Sequence, residues 1–220
     1  MPSFPGSPRL IKGGLVLLDP VTGALQRVIS LQYNPDTLTR TLAPQGVGGD
    51  GGPTRSEPLR LKSPPIETIK LDAEIDATEQ LESPDQNPIA VQSGIQPQLA
   101  ALETVVYPTV DQLQLNNTLA SAGTLEIAPM LAPLILFVWG SSRVVPVRIT
   151  EFSILEEAFD TLLNPIRAKV TLSLRVLNVY DVGFGGKIGS LYLSYQQQKE
   201  NLAAKAAPVS LGSLGLQNLP

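Results

Sequence analysis

The chain has 220 residues with 16 basic and 20 acidic side chains, a formal charge of −4, and neither Cys nor His. Its length lets one large domain, or one domain with appendages, bury a core of mixed sheet and helix. Without Cys and His there are no disulfides, thiolate nucleophiles or imidazole bases, and none of the usual zinc, copper or iron ligands; with no Lys/Arg cluster to meet a phosphate backbone, no nucleic-acid partner is expected.

The opening MPSFPGSPRLIKGG lacks the basic start, apolar run and small-residue cleavage site of a secretory signal, so cytoplasmic synthesis is expected. Residues 15–18 are apolar, Asp19, Pro20, Val21, Thr22 and Gly23 are turn formers, and residues 24–33 follow as a second arm: a hairpin. In that arm Ile29, Leu31 and Tyr33 share a face, and Asn34-Pro35 stops or redirects the strand. A further short strand is expected over residues 37–42. Residues 43–65 are dense in Gly and Pro and read as a long exposed loop, either a mobile insertion or a segment ordered by a partner.

Residues 66–77 alternate cleanly, with Ile69, Leu71, Ala73, Ile75 and Ala77 on one face and Lys70, Asp72, Glu74 and Asp76 on the other, which predicts a strand. Residues 79–97 are polar and Pro-bearing. Over residues 98–106, Leu99, Leu102 and Val106 fall near helical spacing, whereas residues 112–122 suit helix or loop equally. The longest apolar stretch, residues 125–139, carries Glu126, Pro129 and Pro133 and falls short of the roughly 20 residues of a membrane span. No direct membrane insertion is expected, and residues 134–139 predict a buried strand.

The strongest pattern is FVWGSSRVVPVRITEFSILEEAFDTLLNPIRAKVTLSLRVL, which reads as two long strands. Ile166, Ala168, Val170, Leu172, Leu174 and Val176 share one face; Arg167, Lys169, Thr171, Ser173 and Arg175 share the other. Earlier, Val145, Val147 and Ile149 keep one phase and Phe152 and Ile154 the opposite one, which predicts a bulge near Thr150 and Glu151. The acidic face around Asp72 and the basic face around Lys169 are either cross-strand partners, subunit contacts or simply solvated. Beyond Val179, DVGFGGKIGS is a glycine-rich joint, SLYLSYQQQKENLAAKAA suits a helix, and PVSLGSLGLQNLP is a low-complexity tail.

No constellation for chemistry emerges. The order around Lys187 does not fit a phosphate loop, because Ile188 stands where Ser or Thr is needed. Glu156 and Glu157 are neighbours on a strand and point to opposite faces, so they form no facing acid/base pair. Ser93-Gly94 lacks a nucleophile elbow and a His to serve it. Trp139, ending an apolar strand, is read as cover for a core edge rather than a ligand platform. No enzymatic activity, cofactor or metal is expected.

Three short motifs carry a resemblance: Tyr33-Asn34-Pro35 closing one strand, Val138-Trp139-Gly140 closing another, and Pro165-Ile166-Arg167-Ala168 opening the return strand. In this order they resemble the tube-type proteins of contractile injection systems, over roughly residues 10–179. The resemblance implies a mainly β fold, a phage tail-tube-like β-barrel or sandwich with one or two helices and a C-terminal helical tail. The expected division is residues 1–180 for the tube-like domain, with its loop 43–65, and 181–220 for the joint, helix and tail. It also implies assembly into a sixfold ring beside the inner tube protein, the spike and other baseplate proteins, as an adaptor in a phage-tail-like particle. Tyr180-Asp181-Val182 only mimics the opening of the LysM-like module that many relatives carry, so peptidoglycan binding is not carried over. Residues 191–207 are expected to dock on a neighbouring baseplate protein.

Alternatives stay open: a main inner tube subunit, a carboxylate-dependent cell-wall glycan hydrolase, or a β-sandwich binding a ligand through Trp139 or Tyr33.

Overall fold

A computed structural model of the chain describes residues 10–46, 60–123, 132–206 and 210–218. Its strands are β1 (Gly14–Leu18), β2 (Leu25–Ser30), β3 (Leu38–Gly46), β4 (Leu61–Asp76), β5 (Leu134–Val138), β6 (Val144–Phe159) and β7 (Pro165–Val176). They form one seven-stranded sheet in the order β2-β1-β5-β6-β7-β4-β3, antiparallel throughout. The mainly β fold is as expected, but the closed barrel is not: the outermost strands β2 and β3 are not hydrogen bonded to each other.

The first hairpin turns where Asp19 holds it, its carboxylate accepting the Val21 and Thr22 amides at 3.0 and 2.6 Å. β2 stops at Ser30 instead of reaching Tyr33. The segment 43–65 differs more. Ala43 and Ile66 are paired, and the ladder continues through Gln45↔Ser63 to Gly46↔Leu61, so both ends of the expected loop are strand. Backbone pairing needs no side-chain bulk, and the prolines Pro44, Pro64 and Pro65 sit where the register shifts, as proline must in a sheet. Residues 47–59, the centre of that segment, lie outside the described residues, as do residues 1–9 of the N-terminal stretch and residues 125–131 of the long apolar run.

β6 and β7 run as the alternation predicts, with Ala168, Val170, Leu172, Leu174 and Val176 buried. The bulge lies at Thr150: Ile149 pairs with Leu174 and Glu151 with Ser173, and the Thr150 hydroxyl donates to the Ser173 carbonyl at 3.1 Å. On the wet face Asp76 meets Arg167 at 2.9 Å and Asp72 meets Lys169 at 3.5 Å, so the acidic and basic faces are cross-strand partners within one chain.

Helices α1 (Thr78–Leu81), α2 (Pro88–Ser93), α3 (Gln96–Glu103) and α4 (Val110–Ser121) connect β4 to β5, and α5 (Val179–Val182) and α6 (Lys187–Ala203) follow β7. This exceeds the one or two helices expected. Residues 78–93 hid theirs because α1 and α2 are short and proline-punctuated. The core joins inward residues of β1 and β4–β7 to Ile95, Leu99, Leu102 and Val105 and to Tyr192 and Tyr195 of α6. A second cluster holds Leu18, Leu134 and Leu136, against which Ile188 and Leu191 pack. Helix α6 thus takes part in both clusters, with Tyr192 and Tyr195 buried against its own sheet.

One further contact ties the chain just after β2 to the end of β4. Gln32, just after β2, donates from Nε2 to the Asp76 carbonyl at 2.7 Å and accepts the Asp76 amide at 3.0 Å, the pair of bonds a strand neighbour would make.

Candidate assembly surface

Two of the three family-like motifs converge on Gly13. Asn34 Oδ1 accepts the Gly13 amide at 2.9 Å, its Nδ2 donates to the Ile11 carbonyl at 2.8 Å, and the Gly13 carbonyl accepts the Leu31 amide at 2.9 Å. The ring of Trp139 lies so close to Gly13 that a Cβ there would be 2.6 Å from Cζ3. Trp139 is itself stacked on Phe137, with ring centroids 5.9 Å apart, as cover for the core edge. Gly140 takes φ +76° in the turn closed by the Trp139 amide on the Arg143 carbonyl, which glycine adopts without steric cost. Pro35 is half-buried, whereas Tyr33 is exposed; Gln32 Nε2 donates to its hydroxyl at 3.3 Å.

The third motif is elsewhere. β7 has 12 residues, so Pro165 lies roughly 36 Å from Val176 at about 3.3 Å per residue. There the Pro165 carbonyl accepts the Ile95 amide at 2.9 Å, Arg167 pairs with Asp76, and Ala168 is fully buried opposite Ile75. The motifs are scaffold joints in two separate places rather than one site.

The densest electrostatic feature was not singled out from sequence. Glu67, 4 % exposed, accepts Arg40 Nε and Nη2 at 2.9 and 2.7 Å and the Tyr195 hydroxyl at 2.9 Å on Oε1, and Lys199 Nζ at 2.8 Å on Oε2. Lys199 also lies over the Tyr195 ring, 4.0 Å from its centroid. Burial works to raise the Glu67 pKa, but the hydrogen bonds from Lys199, Arg40 and Tyr195 outweigh it and hold the carboxyl below its ordinary range. Burial first, then the bond to Glu67, pushes the Tyr195 phenol up to about 12. The signal was present: Glu67 is in phase with Ile69, Leu71, Ala73 and Ile75, a carboxylate at an apolar position. These bonds tie α6 to the β3–β4 hairpin, and both oxygens of the carboxylate accept from them.

Elsewhere the chemistry-bearing candidates stay apart. Glu156 and Glu157 are exposed opposite Ala168 and Arg167. Asp181 caps α5 and pairs with Arg175 at 2.6 Å. No cluster of three His, Cys, Asp or Glu suited to a metal ion occurs among the described residues. Among them also, no helix is long and apolar enough to cross a membrane.

What the fold does offer is border and protrusion. β2 is exposed along nearly all its length and β3 along most of it, each with one side of its backbone unpaired by any strand among the described residues. Such edges are templates for pairing with another chain. Compared with known proteins, the chain matches no protein-family model and no curated protein.

Proposed function

We propose that the chain is a structural ring subunit of a phage-tail-like contractile injection particle, an adaptor that joins the inner tube to the baseplate and spike. The observation that carries this reading is the single open sheet with two exposed borders. Copies set side by side around an axis cover one another's edges, and closure of the ring removes the hazard that open edges present to a lone subunit. The three short motifs that resemble tube-type proteins support the same reading, since they serve as joints of the scaffold. Its partners are further copies, in a sixfold ring, together with the inner tube protein, the spike and other baseplate proteins; the role involves no cofactor and no reaction.

Negative-stain images and native mass measurements over a concentration series test this. Single closed rings are the expected result. Extended tubes would instead make the chain a main tube subunit, and monomers at every concentration, even with tube and spike proteins added, would overturn the proposal.

A further inference from the structure

The turn between β6 and β7 is built to show apolar groups to solvent. Leu162 and Leu163 are 75 % and 78 % exposed, and Phe159 and Leu155 stand beside them, about half exposed. The turn is not slack. Asp160 Oδ1 accepts the Leu162 and Asn164 amides at 2.7 and 2.8 Å, Asn164 Nδ2 donates to Asp160 Oδ2 at 2.8 Å, and the same Nδ2 reaches the Gln92 carbonyl at 3.2 Å. Leu163 is held at φ +63° and Ala158 at φ +52°, in the left-handed region that side chains other than glycine rarely adopt. A hydrogen-bonded, strained turn on which Phe159, Leu162 and Leu163 stand exposed among the described residues is the profile of an anchor set before binding.

On another part of the molecule, between the β1–β2 turn and the α3–α4 connection, lies a cleft of about 720 Å³ lined by Leu17, Val21, Arg27, Val105, Val106 and Tyr107 among others. Val21, Val106 and Tyr107 are exposed apolar walls. The charges complement the hairpin. Glu156 and Glu157 stand exposed on the arm that leads to the tip, while exposed Arg27, its Nη1 donating to the Thr104 hydroxyl at 2.9 Å, lines the cleft and Lys187 sits at the turn, its Nζ donating to the Gly23 carbonyl at 2.8 Å. Asp19, the one acid among the described residues that line the cleft, is already engaged with Val21, Thr22 and Gln26.

We infer that the β6–β7 tip of one copy inserts Leu162, Leu163 and Phe159 into the β1–β2/α3–α4 cleft of the next copy, with the acidic end of β6, Glu156 on one face and Glu157 on the other, lying toward that copy's Arg27 and Lys187. The inference rests on the ring reading and adds a second contact beside the covered sheet edges. Tip and cleft are different surfaces, so the contact is head-to-tail, the kind that closes into a ring when the rotation per subunit allows. The tie from Asn164 to Gln92 keeps the tip on its own scaffold.

The absence of Cys gives a clean background for cross-linking. Leu162→Cys with Val106→Cys in one chain should, on oxidation, yield a covalent ladder that ends at the ring; a mixture of the two single variants should yield dimers only. Leu162→Asp, at a position 75 % exposed and therefore neutral to folding by circular dichroism, should raise the half-assembly concentration by about 10- to 100-fold. Rings at the wild-type concentration with Leu162→Asp, and no ladder, would overturn the insertion and leave the ring reading intact. A ladder without closed rings would uphold the insertion and reject the ring, and neither rings nor cross-links at any concentration would reject both.

Discussion

Replacing Glu67 by Gln isolates the polar cluster that joins α6 to the β3–β4 hairpin. The carboxylate is 4 % exposed and its two cationic partners, Arg40 and Lys199, are 29 % and 30 % exposed, so screening by water is limited. The amide keeps the shape and removes the charge, leaving two cations close together with no counter-charge. Breaking a buried pair in this way costs about 3–5 kcal/mol; because the cations keep some access to water, the lower end, about 3 kcal/mol, is expected. For a domain of this size that corresponds to a fall in Tm of about 6–12 °C. Urea unfolding followed by the fluorescence of Trp139, the chain's single Trp, measures it. A double-mutant cycle with Lys199→Met should show coupling above about 1 kcal/mol, since removing one cation relieves the repulsion that the first change creates. The pH dependence has a definite sign. The folded pKa of Glu67 lies below its ordinary 4.5, so its contribution is fully present above about pH 5 and is lost as pH falls through the depressed folded value; the Gln variant should show a shallower acid limb. A change within about 0.5 kcal/mol and no coupling would refute the reasoning.

Further outcomes follow from the same contacts. Tyr195 titrates at about 12 when folded against an ordinary 10.0, so its share of stability holds below about pH 10 and fades as pH climbs toward 12; Tyr195→Phe should flatten that limb in alkaline unfolding. Gly13→Ala drives a methyl into the Trp139 ring and should cost about 1–3 kcal/mol by chemical denaturation, with much of it recovered in a Trp139→Ala background. Arg167→Gln, at an ion pair whose Arg side chain is 53 % exposed, should stay within about 1 kcal/mol of wild type. Deleting residues 187–220 removes the buried Tyr192 and Tyr195 and should abolish cooperative unfolding, whereas deleting 210–220, whose described residues 210–218 are all exposed, should leave Tm unchanged.

The sheet was legible wherever a strand has one dry and one wet face, because period-two alternation is then forced: residues 66–77 and 166–176 and the bulge at Thr150 were readable for that reason. Where pairing is carried by backbone alone, as at Ala43–Gly46 and Leu61–Pro65, the side chains held no record of it. Helix α4 buries none of its side chains, so no apolar stripe was imposed on it, and helix and loop stayed equally open. Helix α6 was readable as a helix but not as part of the core, since tyrosine suits a buried position and a docking face alike. The polar cluster depends on Arg40, Glu67, Tyr195 and Lys199 meeting across more than a hundred positions of chain; only the misplaced phase of Glu67 pointed to it.

The Gln32 side chain has a mechanical consequence. A ladder between strands is many bonds deep and fails only as a unit, whereas among the described residues one side-chain amide joins the chain after β2 to the end of β4, and losing it leaves every neighbouring strand pair intact. This joint can therefore be lost without melting the interior, so the Asp76 amide proton should be released to solvent ahead of those on β7.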